Sequence, residues 1–141
     1  MRIFFYGLFM DESLLSNQGV QPLRPSIGFV DGFRLRIGDR ATLVSDPDHR
    51  TYGVVMDLTT KEAADLYAEE SVADYSPVPV AVELLDGANV EASCYILPEG
   101  QASGMNLAYA AELLKLATRL GFPESYLAQI QRALQVHSVG E

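Results

Sequence analysis

Strand-like patterns follow one another along this chain without the regularly spaced helices that parallel neighbours would need, and that ordering constrains the fold more than any other feature. Ile3 to Tyr6 is a short β-branched and aromatic run ended by Gly7. Ile27 to Ile37 (IGFVDGFRLRI) alternates, with Phe33, Leu35 and Ile37 on one face, Arg34 and Arg36 on the other, and a bend at Asp31-Gly32. Ala41 to Val44 precedes the turn-forming Asp46-Pro47-Asp48, and Thr51 to Leu58 (TYGVVMDL) reads as the next strand, with Gly53 marking a bulge or a close backbone approach. Val78 to Leu84 and Val90 to Leu97, linked by Leu85-Asp86-Gly87-Ala88, read as a hairpin. The order predicts an α+β fold: a small curled mixed sheet or open barrel flanked by helices.

Helical spacing appears in three places. TTKEAADLYAEE opens at Thr59 or Thr60 with Glu62 as a capping partner, turns Ala63, Leu66 and Tyr67 inward, and is expected to end near Ser71. Leu107, Ala110, Leu114 and Ala117 line a second helix closed by Gly121. Tyr126, Leu127, Ile130 and Leu134 line a third, after Phe122-Pro123. Gln18 to Ser26 and Pro98 to Asn106 read as loops. With 141 residues, no repeat and no linker composition, the chain is expected to form a single domain over residues 1–141.

Charge narrows the function classes. Ten basic against 19 acidic residues give a net charge of −9 with no basic cluster, so a phosphate backbone would be repelled and no nucleic-acid partner is expected. The start MRIFFYGLFM is too short an apolar run for a signal peptide, and no stretch is apolar for the length of a bilayer span, so no membrane association and a cytoplasmic location are expected. Cys94 is the one cysteine and shares a strand face with Val90, Ala92 and Ile96, which makes it a small core residue. His49 and His137 lack metal-ligand spacing, so no metal is implied.

Two local features carry chemistry. Strand, Gly7 and a helix start capped by Asp11 or Ser13 make a turn whose backbone N–H groups can face an anion. Glu70, four residues after Leu66 and seven after Ala63, falls on the inward face of its expected helix, where a carboxylate needs a reason.

These residues resemble the γ-glutamylcyclotransferase-like family. That family opens with a strand and a YG-S/T-L loop, and FFYGLFM stands at the same place, with Leu8 where the family has Ser or Thr. Asp31 to Leu35 matches a DGFRL strand, and Tyr52-Gly53-Val54-Val55 a V-x-G-V strand. Leu66-Tyr67-Ala68-Glu69-Glu70-Ser71 stands in place of LDxxEG, ahead of Tyr75 and VPVAV, while Tyr109, Gly121-Phe122-Pro123 and Tyr126 match the C-terminal pattern. The resemblance spans nearly the whole chain. It implies a cofactor-independent enzyme of the acyltransferase or lyase type that converts a γ-glutamyl amine or amino acid to 5-oxoproline and the free amine. The implied catalytic residue is Glu70, with adjacent Glu69 as the competing assignment, and the implied substrate contacts are Tyr6, Gly7, Leu8, Phe9, Met10, Tyr75 and Tyr109. A non-catalytic module that keeps the pocket for a small carboxylate or amine, and an interaction domain with a vestigial pocket, are the alternatives. The expected partner is a small γ-glutamyl compound, with a homodimer left open.

Overall fold

The first strand, β1 (Arg2–Phe5), is buried on both sides, and its alternating side chains belong to two different hydrophobic layers. Ile3 and Phe5 pack with residues of the helices, whereas Phe4 and the following Tyr6 pack inside the sheet. The structure, a computed structural model, describes residues 1–69, 72–98, 104 and 106–139, without the side chains of 133–139.

After a 3₁₀ turn (Leu8–Met10) and helix α1 (Glu12–Asn17) come β2 (Leu23–Ile37), β3 (Ala41–Asp57), α2 (Thr60–Leu66), β4 (Ser76–Leu84), β5 (Asn89–Ile96), α3 (Leu107–Leu120) and α4 (Glu124–Val139). The strands close into a barrel in the order β1-β3-β2-β4-β5. All neighbours are antiparallel except β1 and β5, which meet in parallel at Ile3 and Ser93. The curled sheet is therefore mixed and closed, with the helices outside, and the fold is α+β.

Phe4, Val30, Leu43, Val55, Val82 and Cys94 fill the barrel. Outside it, Leu66 of α2, Leu113 and Ala117 of α3 and Tyr126 and Ile130 of α4 cover Ile3, Phe5, Val54 and Met56. Burial at this density removes each side chain from water and contributes roughly 1.5–3 kcal/mol apiece for the larger aliphatic and aromatic groups. Gly53 lies where β1 and β3 run side by side: a Cβ there would meet the Phe5 carbonyl and come within 2.6 Å of the Phe4 ring, so the close approach expected from sequence is that of β1 itself.

Three boundaries differ from the sequence expectation. β2 begins at Leu23, inside the segment expected to be a loop, because Leu23 and Ser26 pair with Asp57 and Val55 of β3; Pro25, which has no N–H to offer, falls at the register shift between them. Asp46-Pro47-Asp48 does not end a strand. The ladder passes from Asp31–Arg50 to Phe33–Ser45, so residues 46–49 form a wide excursion within β3. There the Asp46 carboxylate accepts from the Asp48 amide at 3.1 Å and pairs with His49 at 3.0 Å and Arg34 at 3.3 Å. Helix α2 has the full capping box of Thr59 and Glu62, yet it ends at Leu66, with Tyr67 as its C-cap. No basic residue sits in its last turn and Asp65 does, an arrangement that opposes the helix dipole. The helical-face argument for Glu70 therefore does not reach that residue, which lies outside the described residues. Leu134 is in α4, but its side chain is likewise outside them.

Candidate functional site

A cavity of about 390 Å³ opens where β1 runs into the 3₁₀ turn, next to the tip between β2 and β3. Tyr6, Gly7, Leu8, Phe9, Tyr75 and Tyr109 line it together, although they come from three separate parts of the chain. Met10 is not among the described lining residues; it is 3% exposed and packs in the layer under the helices.

On the β1 side the backbone is already bonded in part. The Met10 amide donates to the Gly7 carbonyl at 3.0 Å, and the Leu8 amide donates to the Tyr109 hydroxyl at 3.1 Å. The amides of Gly7 and Phe9 have no hydrogen-bond partner among the described residues. Asp11 caps α1 through its side chain, which accepts from the Ser13 amide. Gly7 has extended backbone (φ −113°), open to any residue, but a Cβ on it would collide with the Tyr109 hydroxyl. The close approach that requires glycine here is made by a tyrosine of the chain itself.

Tyr109 is fixed from the other end of the molecule. Asn106 caps α3 by accepting from the Tyr109 amide at 2.9 Å, and its own amide donates to the Gly38 carbonyl at 2.9 Å, tying the start of α3 to the β2–β3 tip. The Tyr6 hydroxyl donates to the Tyr95 carbonyl at 2.6 Å, and the Tyr75 hydroxyl donates to the Ala41 carbonyl. Burial raises the pKa of Tyr6, Tyr67 and Tyr109 and pushes Tyr75 up to about 12. These phenols hold their protons at neutral pH. They can donate hydrogen bonds and present ring surface, but they cannot serve as bases.

The opposite side is aromatic. Tyr67 stacks on Tyr95 with ring centres 3.7 Å apart and planes 6° from parallel; Phe9 meets Tyr67 edge-on at 6.4 Å, and Tyr75 lies 6.5 Å from it. Asp39 and Arg40 at the β2–β3 tip complete the lining, with Arg40 bonded to Asp74. Sequence reasoning did not single out Tyr67, Tyr95, Asn106, Asp39 or Arg40 as site residues. Tyr67 was legible as an inward residue of α2 and as the residue in place of the Asp of LDxxEG. Tyr95 alternates away from the Val90, Ala92, Cys94 and Ile96 face and carried no signal of its own. Cys94 lies in the barrel core, where burial pushes its thiol up to about 12, well away from nucleophile chemistry.

Tyr67 and Val72 both line the cavity, so the described chain borders it on either side of Glu69 and Glu70. Glu69 is exposed. Among the described residues, no group of three or more His, Cys, Asp or Glu side chains comes together as a metal site, and no helix is long and apolar enough to cross a membrane.

A barrel of this topology with a cavity at the glycine turn is the γ-glutamylcyclotransferase-like fold. A solved structure named gamma-glutamyl cyclotransferase superposes with a TM-score of 0.79 at 16% identity, over 93% of this chain and 86% of the other. A yeast gamma-glutamyl cyclotransferase specific to glutathione gives 0.67 at 16% identity, over 96% and 95% of the two chains. An uncharacterized human protein gives 0.75 at 19% identity, over 92% and 85%. At these identities the likeness is one of fold. The model of the AIG2-like family matches residues 50–130, and the chain belongs to that family. No curated protein matches it.

Proposed function

We propose that the chain is a γ-glutamyl cyclotransferase-type enzyme that cleaves a γ-glutamyl amide to 5-oxoproline and a free amine. The observation that carries the reading is the convergence of Tyr6, Gly7, Leu8, Phe9, Tyr75 and Tyr109 on one cavity that Tyr67 and Val72, before and after Glu70 in sequence, also line. Family membership and fold support it.

In this reaction the α-amine of the substrate attacks its own γ-carbonyl carbon. A C–N bond closes the five-membered ring, the carbonyl becomes a tetrahedral oxyanion, and collapse breaks the bond to the leaving nitrogen. One proton leaves the attacking ammonium so that it can act as a nucleophile, a second leaves the nitrogen after attack, and the departing amine must gain one. The attacker and target belong to one molecule, so the cavity's main task is to hold the bent conformer. The unpaired amides of Gly7 and Phe9 suit the α-carboxylate, and the Tyr109 hydroxyl, which accepts from Leu8, has its own proton left to donate to a developing negative charge. Because the tyrosines stay protonated, the proton shuttle falls to a carboxylate. Glu70 is assigned that role on the family resemblance, and the exposure of Glu69 supports choosing it over its neighbour.

The test is a panel of γ-glutamyl amines and γ-glutamyl amino acids assayed for 5-oxoproline. Release from at least one of them is expected. A panel that binds without any 5-oxoproline appearing would reject the enzyme in favour of a binding module.

A further inference from the structure

Resting on that reading, the charge distribution of the cavity bears on the half of the substrate that leaves. A γ-glutamyl amino acid or peptide brings two carboxylates, one on the glutamyl group and one on the amine half. A γ-glutamyl derivative of a simple amine brings one. Among the described lining residues Arg40 is the one cation. Its guanidinium is forked onto Asp74, Nη1 to Oδ1 at 2.9 Å and Nη2 to Oδ2 at 3.0 Å, and lies 5.7 Å from the centre of the Tyr75 ring. A bidentate pair of this kind is geometrically committed. Asp39, adjacent to it in the lining, adds a second acid against the single cation. The undescribed residues at 70–71, 99–103, 105 and 140–141 include no lysine or arginine, so they hold no further cation in reserve. Two carboxylates in this cavity would face Asp39 with only one guanidinium, already engaged by Asp74, to offset them.

The rest of the wall is ring surface. Phe9, Tyr67, Tyr75 and Tyr95 all line the cavity, and the Tyr67–Tyr95 stack is held flat by its own packing. Such a wall recognises a planar apolar group through burial and ring–ring contact, and it carries no positive charge to balance a carboxylate. We propose that the leaving half of the substrate is an amine that bears an aromatic ring and no carboxylate, docked against Phe9, Tyr67, Tyr75 and Tyr95, with the Arg40–Asp74 pair acting to exclude amino-acid leaving groups.

The discriminating experiment uses two compounds that differ by one carboxylate, γ-glutamyl-phenethylamine and γ-glutamyl-phenylalanine, with γ-glutamyl-ethylamine as the version lacking a ring. Rates of 5-oxoproline formation are expected to give kcat/KM at least about tenfold higher for the phenethylamide than for the phenylalanine compound, the scale of a like-charge penalty. The ethylamide should fall below the phenethylamide by a similar factor, through lost ring burial. Asp74→Asn, which removes the carboxylate from the Arg40 fork, should narrow the gap by raising kcat/KM for γ-glutamyl-phenylalanine. Equal or faster turnover of γ-glutamyl-phenylalanine overturns the inference while leaving the cyclotransferase reading intact. If no compound is turned over, calorimetric titration decides: tighter binding of the phenethylamide sustains the inference and rejects catalysis, whereas equal binding, or none, rejects the inference as well.

Discussion

On the β1 side of the cavity the chain is held by hydrogen bonds, Met10 to Gly7 and Leu8 to Tyr109, whereas on the far side rings pack on rings, Tyr67 on Tyr95 with Phe9 against its edge. A hydrogen-bonded wall fixes direction, because donors lose most of their worth when misaligned. An aromatic wall fixes shape and excludes water, and it tolerates small displacements. Under the proposed function the two walls have separate tasks: orientation of the reacting glutamyl group on one side, choice of the leaving amine on the other. Variants on the two sides should therefore fail differently, in rate on the first and in substrate preference on the second.

The largest effect is expected at Glu70, which neither wall can replace because every tyrosine around the cavity is held protonated. Glu70→Gln keeps size and polarity and removes the proposed base, and should lower 5-oxoproline formation by about 10²-fold or more, the usual scale of general acid–base catalysis. Glu69→Gln should leave the rate nearly unchanged. The reverse pattern in a steady-state assay would transfer the role to Glu69, and full activity in both variants would remove the glutamate mechanism.

A smaller effect tests how the hydrogen-bonded wall is built. In Gly7→Ala the new Cβ would strike the Tyr109 hydroxyl but sit 3.7 Å from the ring carbon that bears it, an ordinary contact. The cost should be about 1–3 kcal/mol, as for other forced insertions into packed sites. Tyr109→Phe alone should cost about 1 kcal/mol, since the Leu8 amide loses its acceptor. Combining them should cost much less than the sum, because the atom that clashes is gone. Denaturant unfolding of the two single variants and the double variant closes the cycle; additive losses would mean that Gly7 is required for some other reason.

The smallest effect belongs to the aromatic side and is read from pH. Tyr75 titrates near 10 when unfolded and is raised to about 12 in the fold, chiefly by burial, so between those values the unfolded chain loses a proton that the folded one keeps. Its contribution is fully present below pH 10 and is lost as pH rises toward 12. Melting temperature should fall with increasing pH across that window, and Tyr75→Phe should flatten the slope. An unchanged slope would place the titration elsewhere.

What the sequence determined by itself was local. A β-branched and aromatic run over Ile3 to Tyr6 marked one strand, and alternation in IGFVDGFRLRI and VPVAVEL marked others because a pleated backbone sends successive side chains to opposite faces. Thr59 with Glu62 and Gly121 marked helix ends, because capping is settled within a turn of chain. The motif order placed Tyr6, Gly7, Tyr75 and Tyr109 together as site residues of a family fold. Tertiary structure decided the rest. The excursion at residues 46–49 could be absorbed into β3 only because β2 runs on beside it and lets the ladder resume, a partner's property that no window of β3 contains. The reason for Gly7 is an atom more than a hundred residues away, the Tyr109 hydroxyl. The Tyr67–Tyr95 wall joins the end of a helix to the far strand of a hairpin, and neither residue differs in local pattern from an ordinary half-buried tyrosine. Periodicity reports which face of an element is buried; which other element covers it depends on barrel closure, and that is where the cavity's chemistry was assembled.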